Sequence, residues 1–135
     1  MTVFVLDSSA LIRYIDNEPG ASRVVEILKA CVAGLADIRI SALQWGEVAG
    51  NIRKRAGATE ETRILSRLPS EIEVVPVSAS DAVRAADLKV DRKIGYADGF
   101  AVGLALGLRE HILVTADFGF KAVEDLAKIE FLPAK

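Results

Sequence analysis

The sequence predicts a single α/β domain, a three-layer sandwich in which a mainly parallel sheet of four to five strands is covered by helices on both faces. Three observations lead to this prediction. The chain has 135 residues, about the usual size of one domain. Apolar, β-branched stretches alternate along it with stretches of helical periodicity. The first such stretch, residues 2–6, is apolar on both faces, as is typical of a strand buried between two layers of helices.

The first half of the chain alternates strands with helices. The strand at residues 2–6 ends at Asp7, and Glu18-Pro19-Gly20 separates the two helices that follow it. Ser41 is placed to cap the next helix, and Pro69 stops the last one. The predicted elements are a strand at 2–6, helices at 10–15 and 24–35, a strand at 37–40, and helices from 42 to about 55 and at 59–68.

The second half continues the alternation, without a linker, a repeat or a low-complexity segment. Pro76 places the end of its first strand near an edge of the sheet, because proline cannot donate a ladder hydrogen bond. Ser80 is expected to cap a helix, and Gly95 separates that helix from the next. The predicted elements are a strand at 71–77, helices at 81–90 and 97–108, a strand at 111–114, a short helix at 121–127 and a strand at 129–132.

Composition and charge limit the classes of protein that the chain can be. Hydrophobic residues make up 51% of it, which favours self-association or a permanent partner. The net charge of −2 argues against a dominant basic field, so a bound polyanion would need a local basic patch or a metal. The lone Cys31 cannot form an internal disulfide, and the sequence opens without a basic leader. No uncharged stretch approaches the roughly 20 residues of a membrane span, so we expect a soluble, cytoplasmic protein.

Four acidic residues fall where a parallel sheet places its functional crevice. Asp7 and Asp117 follow strands, and Asp98 and Glu47 lie on helices that could lean over the same edge. At about 4 Å and an effective dielectric near 20, each like-charged pair opposes folding by about 4 kcal/mol, so the cluster calls for a cation. Carboxylates without His or Cys select Mg²⁺ or Mn²⁺, which suits hydrolysis of phosphodiesters.

Each of these residues also has a structural explanation when it is taken alone. Asp7 could cap a helix, Glu47 could form a solvated pair with Asn51, Asp98 could stabilise a helix N-terminus, and Asp117 could be a turn residue. The functional interpretation depends on the four occurring together.

Four segments of the sequence resemble the PIN-domain nucleases, and in particular the VapC-type toxins of toxin–antitoxin pairs. The segments are VLDSSALIRYIDNEPG, the helix that carries Glu47 and Asn51, GYADGFAVGLA, and VTADFGFKAVEDLAKIEFLP. The resemblance implies four catalytic carboxylates, three of which hold Mg²⁺ or Mn²⁺, with three polar residues orienting them or the attacking water. The catalytic residues would be Asp7, Glu47, Asp98 and Asp117, the metal ligands Asp7, Asp98 and Asp117, and the polar residues Ser8, Asn51 and Thr115.

The resemblance further implies a PIN-like fold, an endoribonuclease that cleaves RNA with a metal-activated water, a small antitoxin as partner, and a homodimer. Gly99, Gly103 and Gly107 depart from a good helix sequence, which predicts close packing of that helix, for example against a partner subunit. Trp45 and Tyr96 could stack on a base, although packing is the simpler role for both. The five phenylalanines, Phe118 among them, are interpreted as core or interface residues rather than as a surface for RNA bases.

Two alternatives remain. A phosphoryl-transfer α/β domain would also place an aspartate after the first strand. However, Ser9 stands where a haloacid-dehalogenase-type phosphatase has its second aspartate, and Ala116-Asp117 stand where a receiver domain has its lysine. A non-catalytic PIN-fold binding or scaffold module is the second alternative. A module of that kind has no reason to keep four carboxylates that repel one another.

Overall fold

The computed structural model, which describes residues 1–135, contains one five-stranded sheet with strand order β3-β2-β1-β4-β5. All four pairings between neighbouring strands are parallel, which confirms the predicted fold class. The carboxyl ends of the strands therefore lie at one edge of the sheet, with β1 at its centre. The strands are β1 (Val3–Leu6), β2 (Asp37–Ser41), β3 (Glu73–Val75), β4 (His111–Thr115) and β5 (Lys128–Phe131).

Helices cover both faces of the sheet, and each face has its own hydrophobic core. One core packs Leu6, Ile38 and Val114 against the first three helices. The other packs Val5 and Leu113 against the fifth helix and a 3₁₀ helix. None of the helices combines the length and the apolar character needed to cross a membrane. The helices are α1 (Ser8–Ile15), α2 (Ala21–Val32), α3 (Ala42–Arg67), α4 (Ala79–Arg92), α5 (Tyr96–Ala105) and a 3₁₀ helix (Phe118–Val123).

The two helices predicted over 42–68 are present as the two helical parts of α3, which are separated by a non-helical Gly57 with a φ of +89°. Two other local expectations were wrong. Helix α4 is capped by Ser78 and not by Ser80, because Asp81 completes a capping box with Ser78. The short helix predicted at 121–127 is a 3₁₀ helix that begins at Phe118, directly after Asp117.

The glycine-rich helix α5 packs against α4 of the same chain. A Cβ atom at position 99 would lie 2.7 Å from the Ala85 Cα atom and 2.8 Å from its Cβ atom, so only glycine fits there without movement. Ala85 is itself completely buried. The close packing predicted from the glycines is present, and at Gly99 the neighbour is an intramolecular one.

Candidate active site

The acidic residues predicted from the sequence meet at the carboxyl edge of the sheet. Asp7 follows β1 directly, and Asp117 lies two residues beyond the end of β4, the strand that pairs with β1. Asp98 belongs to the first turn of α5, and Glu47 to α3. Asp7 is 1% exposed, Asp98 is half-buried, and the other two are exposed. The cluster therefore has two inner carboxylates, Asp7 and Asp98, and two outer ones at its solvent-exposed rim, Glu47 and Asp117.

Asp7 is held in one orientation by hydrogen bonds from its own neighbours and from β4. Its side chain caps α1 by accepting the backbone N–H of Ala10 at 2.9 Å. The Ser9 hydroxyl donates to Oδ1 at 2.8 Å and lies 2.9 Å from Oδ2, and Thr115 Oγ1 donates to Oδ2 at 2.6 Å. Asp7 is thus both a helix cap and a member of the acidic cluster. The structural and the functional interpretation of this residue are therefore compatible.

The two inner carboxyl groups have raised pKa values, chiefly because they are buried. Burial raises the pKa of Asp7 from 3.8 to about 6; hydrogen bonds led by that of Thr115 oppose the rise, and the charge of Asp117 adds to it. Burial also raises the pKa of Asp98 to about 6, with further increases from the charges of Asp117, Asp7 and Glu47. The negative charges of the other three predicted acidic residues therefore all raise the pKa of Asp98.

Asp117 is also positioned by the start of a helix. Its Oδ1 atom accepts the backbone N–H of Gly119 at 2.8 Å and caps the 3₁₀ helix. Its own backbone N–H donates to Thr115 Oγ1 at 2.9 Å, so that one threonine hydroxyl joins Asp7 to the segment carrying Asp117. Thr115 lies where a residue orienting the carboxylates is expected, and it is completely buried.

The other two predicted supporting residues make no side-chain contact of this kind with the inner carboxylates. The backbone N–H of Ser8 is bound elsewhere, and it is Ser9 whose hydroxyl contacts Asp7. Asn51 accepts a hydrogen bond from Arg55 on the exposed side of α3, and Arg55 in turn pairs with Asp16. No side-chain hydrogen bond joins Ser8 or Asn51 to any residue of the cluster.

Gln44 is a residue of the site that sequence reasoning missed. Its side chain is completely buried and joins two helix N-termini: Oε1 accepts the N–H of Ser8 at 2.7 Å, and Nε2 donates to the Ala97 carbonyl at 2.8 Å. These two partners adjoin Asp7 and Asp98. The available signal was misleading, because a glutamine three residues after the cap Ser41 is typical of a capping box.

Gly95 leaves room for the carboxylate of Asp98. A Cβ atom at position 95 would lie 3.1 Å from Asp98 Oδ2, although the φ of −62° suits any residue. The glycine is therefore explained by the neighbouring carboxylate and not by its backbone conformation.

The chemistry of this cluster fits a hard divalent cation. None of the nine ion pairs of the protein includes Asp7, Glu47, Asp98 or Asp117. No three His, Cys, Asp or Glu side chains converge closely enough to hold one metal ion together. Mg²⁺ does not need three, because it is bound through one or two carboxylates and keeps several waters. The oxygen-only donors and the uncompensated negative charge suit that mode of binding.

Comparison with known proteins gives a consistent fold. The PIN domain family model matches residues 4–126. A chain of the promoter-bound VapBC2 complex from Rickettsia felis is 20% identical, with a TM-score of 0.74 over 98% of this chain and 100% of that one. A toxin–antitoxin complex from Klebsiella pneumoniae gives 21% identity and a TM-score of 0.70 over all of both chains. The sarcin-ricin loop cleaving toxin VapC20 of Mycobacterium tuberculosis gives 16% and 0.64, over 90% of this chain and 95% of that one. No curated protein is similar to the chain by sequence.

Proposed function

The chain belongs to the PIN domain family, and we propose from this that it is a Mg²⁺-dependent endoribonuclease, the toxin of a toxin–antitoxin pair, acting on RNA in the cytoplasm. The observation that carries the proposal is the acidic cluster at the carboxyl edge of the sheet. Its two inner carboxyl groups have pKa values raised to about 6, and no basic side chain neutralises them.

In this proposal Asp7 and Asp98 hold the cation, with Asp117 beside them. A bound Mg²⁺ would offset the carboxylate charges, polarise the scissile phosphate and lower the pKa of water. Ser9 and Thr115 keep the Asp7 carboxylate in one orientation, and Gln44 fixes the spacing between the helix ends that carry the two inner aspartates.

In this proposal the exposed carboxylates at the rim act as proton acceptors. Glu47 and Asp117 are open to solvent, where a carboxylate can accept a proton from an attacking water. The only histidine cannot join a histidine pair, and its Nδ1 atom lies 2.9 Å from the Leu104 carbonyl. Carboxylates are therefore the groups that remain for the chemistry.

A small antitoxin is the proposed protein partner. The similar chains from R. felis and K. pneumoniae belong to complexes of a toxin with its antitoxin. This chain has an apolar depression of about 380 Å³ between α2 and the end of α3 that could hold part of such a partner. Its apolar lining is Tyr14, Val25, Leu28, Val32, Ala33 and Pro69, and its basic residues are Lys29 and Arg67.

We also propose a homodimer. Helix α4 exposes an apolar stripe, Ala79, Val83, Ala86 and Val90, at the alternating spacings of four and three that suit pairing of helices. Val83 is 61% and Val90 75% exposed, which is unusual for valine on the surface of a monomer.

The test is cleavage of total RNA by the purified protein, with Mg²⁺ and with EDTA. We expect cleavage only with the metal. Asp98→Asn should lower the cleavage rate more than about a hundredfold, because even residues that only hydrogen-bond to a metal ligand contribute ten- to a hundredfold to activity. Asp125→Asn is the matched control, because Asp125 is an exposed carboxylate that pairs with Arg92 outside the cluster. Undiminished cleavage in excess chelator would refute the metal mechanism. Absence of cleavage under every condition would favour the non-catalytic PIN module.

A further inference from the structure

Phe118 is an exposed aromatic residue at the edge of the acidic cluster. It follows Asp117 directly and begins the 3₁₀ helix that Asp117 caps. Its side chain is 43% exposed, so of the two predicted roles, core or interface, the core is ruled out. A phenylalanine of that exposure beside a polar site calls for an explanation other than packing.

The ring of Phe118 is held in place from one side. It stacks on Phe131, with ring centroids 5.4 Å apart and planes at 19°. Phe131 is the last residue of β5 and pairs in register with Thr115, so the stacked rings lie at the same edge of the sheet as Asp7 and Asp117. The ring of Phe118 is therefore preorganised by its stacking on Phe131.

A cation accompanies the ring. The Nζ atom of Lys121, one turn further along the 3₁₀ helix, lies 5.4 Å from the Phe118 ring centroid. Lys121 is exposed and forms no ion pair. Its flexible stem lets the ammonium group move from the ring to a nearby phosphate.

We propose that Phe118 stacks on an unpaired base of single-stranded RNA while Lys121 contacts a phosphate beside that base. The proposal rests on the proposed function as a ribonuclease. A phosphate chain that approaches four carboxylates is repelled, so a nuclease of this kind gains from a contact that does not depend on charge. Aromatic stacking provides such a contact for any base, and it provides it next to Asp117.

Binding is measured separately from cleavage, so that the two proposals can fail independently. The probe is a fluorescein-labelled single-stranded RNA of mixed sequence, and its anisotropy is followed in EDTA, where hydrolysis requiring a metal is stopped. We expect Phe118→Ala to weaken binding about tenfold or more and Phe118→Trp to stay within about threefold of the parent. Leu35→Ala is the matched control, because Leu35 is an exposed apolar residue just before β2, at the opposite edge of the sheet from the acidic cluster. Phe118→Leu keeps an apolar contact with Phe131 without an aromatic face, and it should bind as weakly as the alanine variant.

Two further measurements separate stacking from charge. The penalty of Phe118→Ala should disappear when the RNA is replaced by an abasic strand. Lys121→Gln should reduce the slope of log K against log salt by about 0.7, the value for one phosphate contact on a single strand, whereas Phe118→Ala should leave the slope unchanged.

Several results would overturn the inference: no RNA binding by the parent, equal binding by the parent and Phe118→Ala, or equally weak binding by Phe118→Ala and Phe118→Trp. RNA binding that depends on Phe118 without cleavage in Mg²⁺ would support the stacking contact and refute the nuclease. Cleavage with an unchanged KM in Phe118→Ala would do the reverse.

Discussion

Replacing Asp7 by asparagine should stabilise the metal-free protein at neutral pH. Asparagine preserves the shape of the side chain, and its Oδ1 atom can still accept the N–H of Ala10 at the start of α1. Its amide group would face Thr115 Oγ1, which can accept a hydrogen bond as well as donate one. The substitution therefore removes a buried charge while it keeps the helix cap.

The size of the effect follows from the pKa of Asp7, which is 3.8 ordinarily and about 6 in the folded protein. Well below pH 3.8 the group is protonated in the folded and unfolded states alike, and it costs the fold nothing. As the pH rises from 3.8 to about 6, the unfolded state gives up this proton while the folded state still binds it, so the free energy of unfolding falls. A difference of about two pKa units corresponds to about 3 kcal/mol, fully lost above pH 7.

Urea unfolding of the parent and Asp7→Asn in EDTA, from pH 4.5 to 7.5, measures this difference. We expect the variant to gain about 1–3 kcal/mol over the parent at pH 7.5 and about a third of that at pH 4.5. Asp81→Asn is the matched control with opposite sign, because hydrogen bonds from Ser78 lower the pKa of Asp81, so its ionised form stabilises the fold. Excess Mg²⁺ should then stabilise the parent more than Asp7→Asn, since only the parent keeps the charged ligand. A variant less stable than the parent at pH 7.5, or a difference that does not change with pH, would show that the charge of Asp7 is not the cost inferred here.

Three other predictions concern packing and association. Gly99→Ala should lower the free energy of unfolding by about 1–3 kcal/mol, because its Cβ atom would collide with Ala85, whereas Gly50→Ala, with open space around it, should be neutral or stabilising by up to about 1 kcal/mol; equal effects of the two would refute the packing argument. Gln44→Leu should cost about 1–3 kcal/mol in urea unfolding, because the Ser8 N–H loses its partner and the link to the Ala97 carbonyl is broken, and an unchanged midpoint would contradict this. Sedimentation of the purified chain should show a dimer or a bound small protein, and a strictly monomeric species at micromolar concentration would count against the apolar stripe on α4 as an interface.

The sequence was informative where chemistry follows from chain order. A polar residue directly after a buried parallel strand has to lie at the carboxyl edge, and this rule placed Asp7 and Asp117 without knowledge of side-chain positions. The same reasoning brought Asp98 to the cluster from the first turn of a helix. It also identified Thr115, the last residue of β4, as a neighbour of these carboxylates.

Side-chain pairing between distant segments was beyond sequence reasoning. Ser8 and Ser9 are indistinguishable as letters, and only the start of α1 turns the Ser9 hydroxyl toward Asp7. Gln44 satisfied a local capping pattern, but its partners come from residues 36 and 53 positions away along the chain. The exposure of Phe118 depends in the same way on where the 3₁₀ helix begins.

The parallel pairing of β1 with β4 has a consequence for how the protein is made. The hydrogen bond between Thr115 and Asp7 joins residues 108 positions apart, and β1 is the central strand of the sheet although it is the first to be synthesised. During translation the edge of β1 that pairs with β4 stays unpaired until residue 115 has been synthesised. Contacts of such long range also slow folding, because a large loop has to close before they form. A chain that stops before β4 therefore cannot assemble the acidic cluster, so the activity proposed here can arise only after β4 and Asp117 have been synthesised.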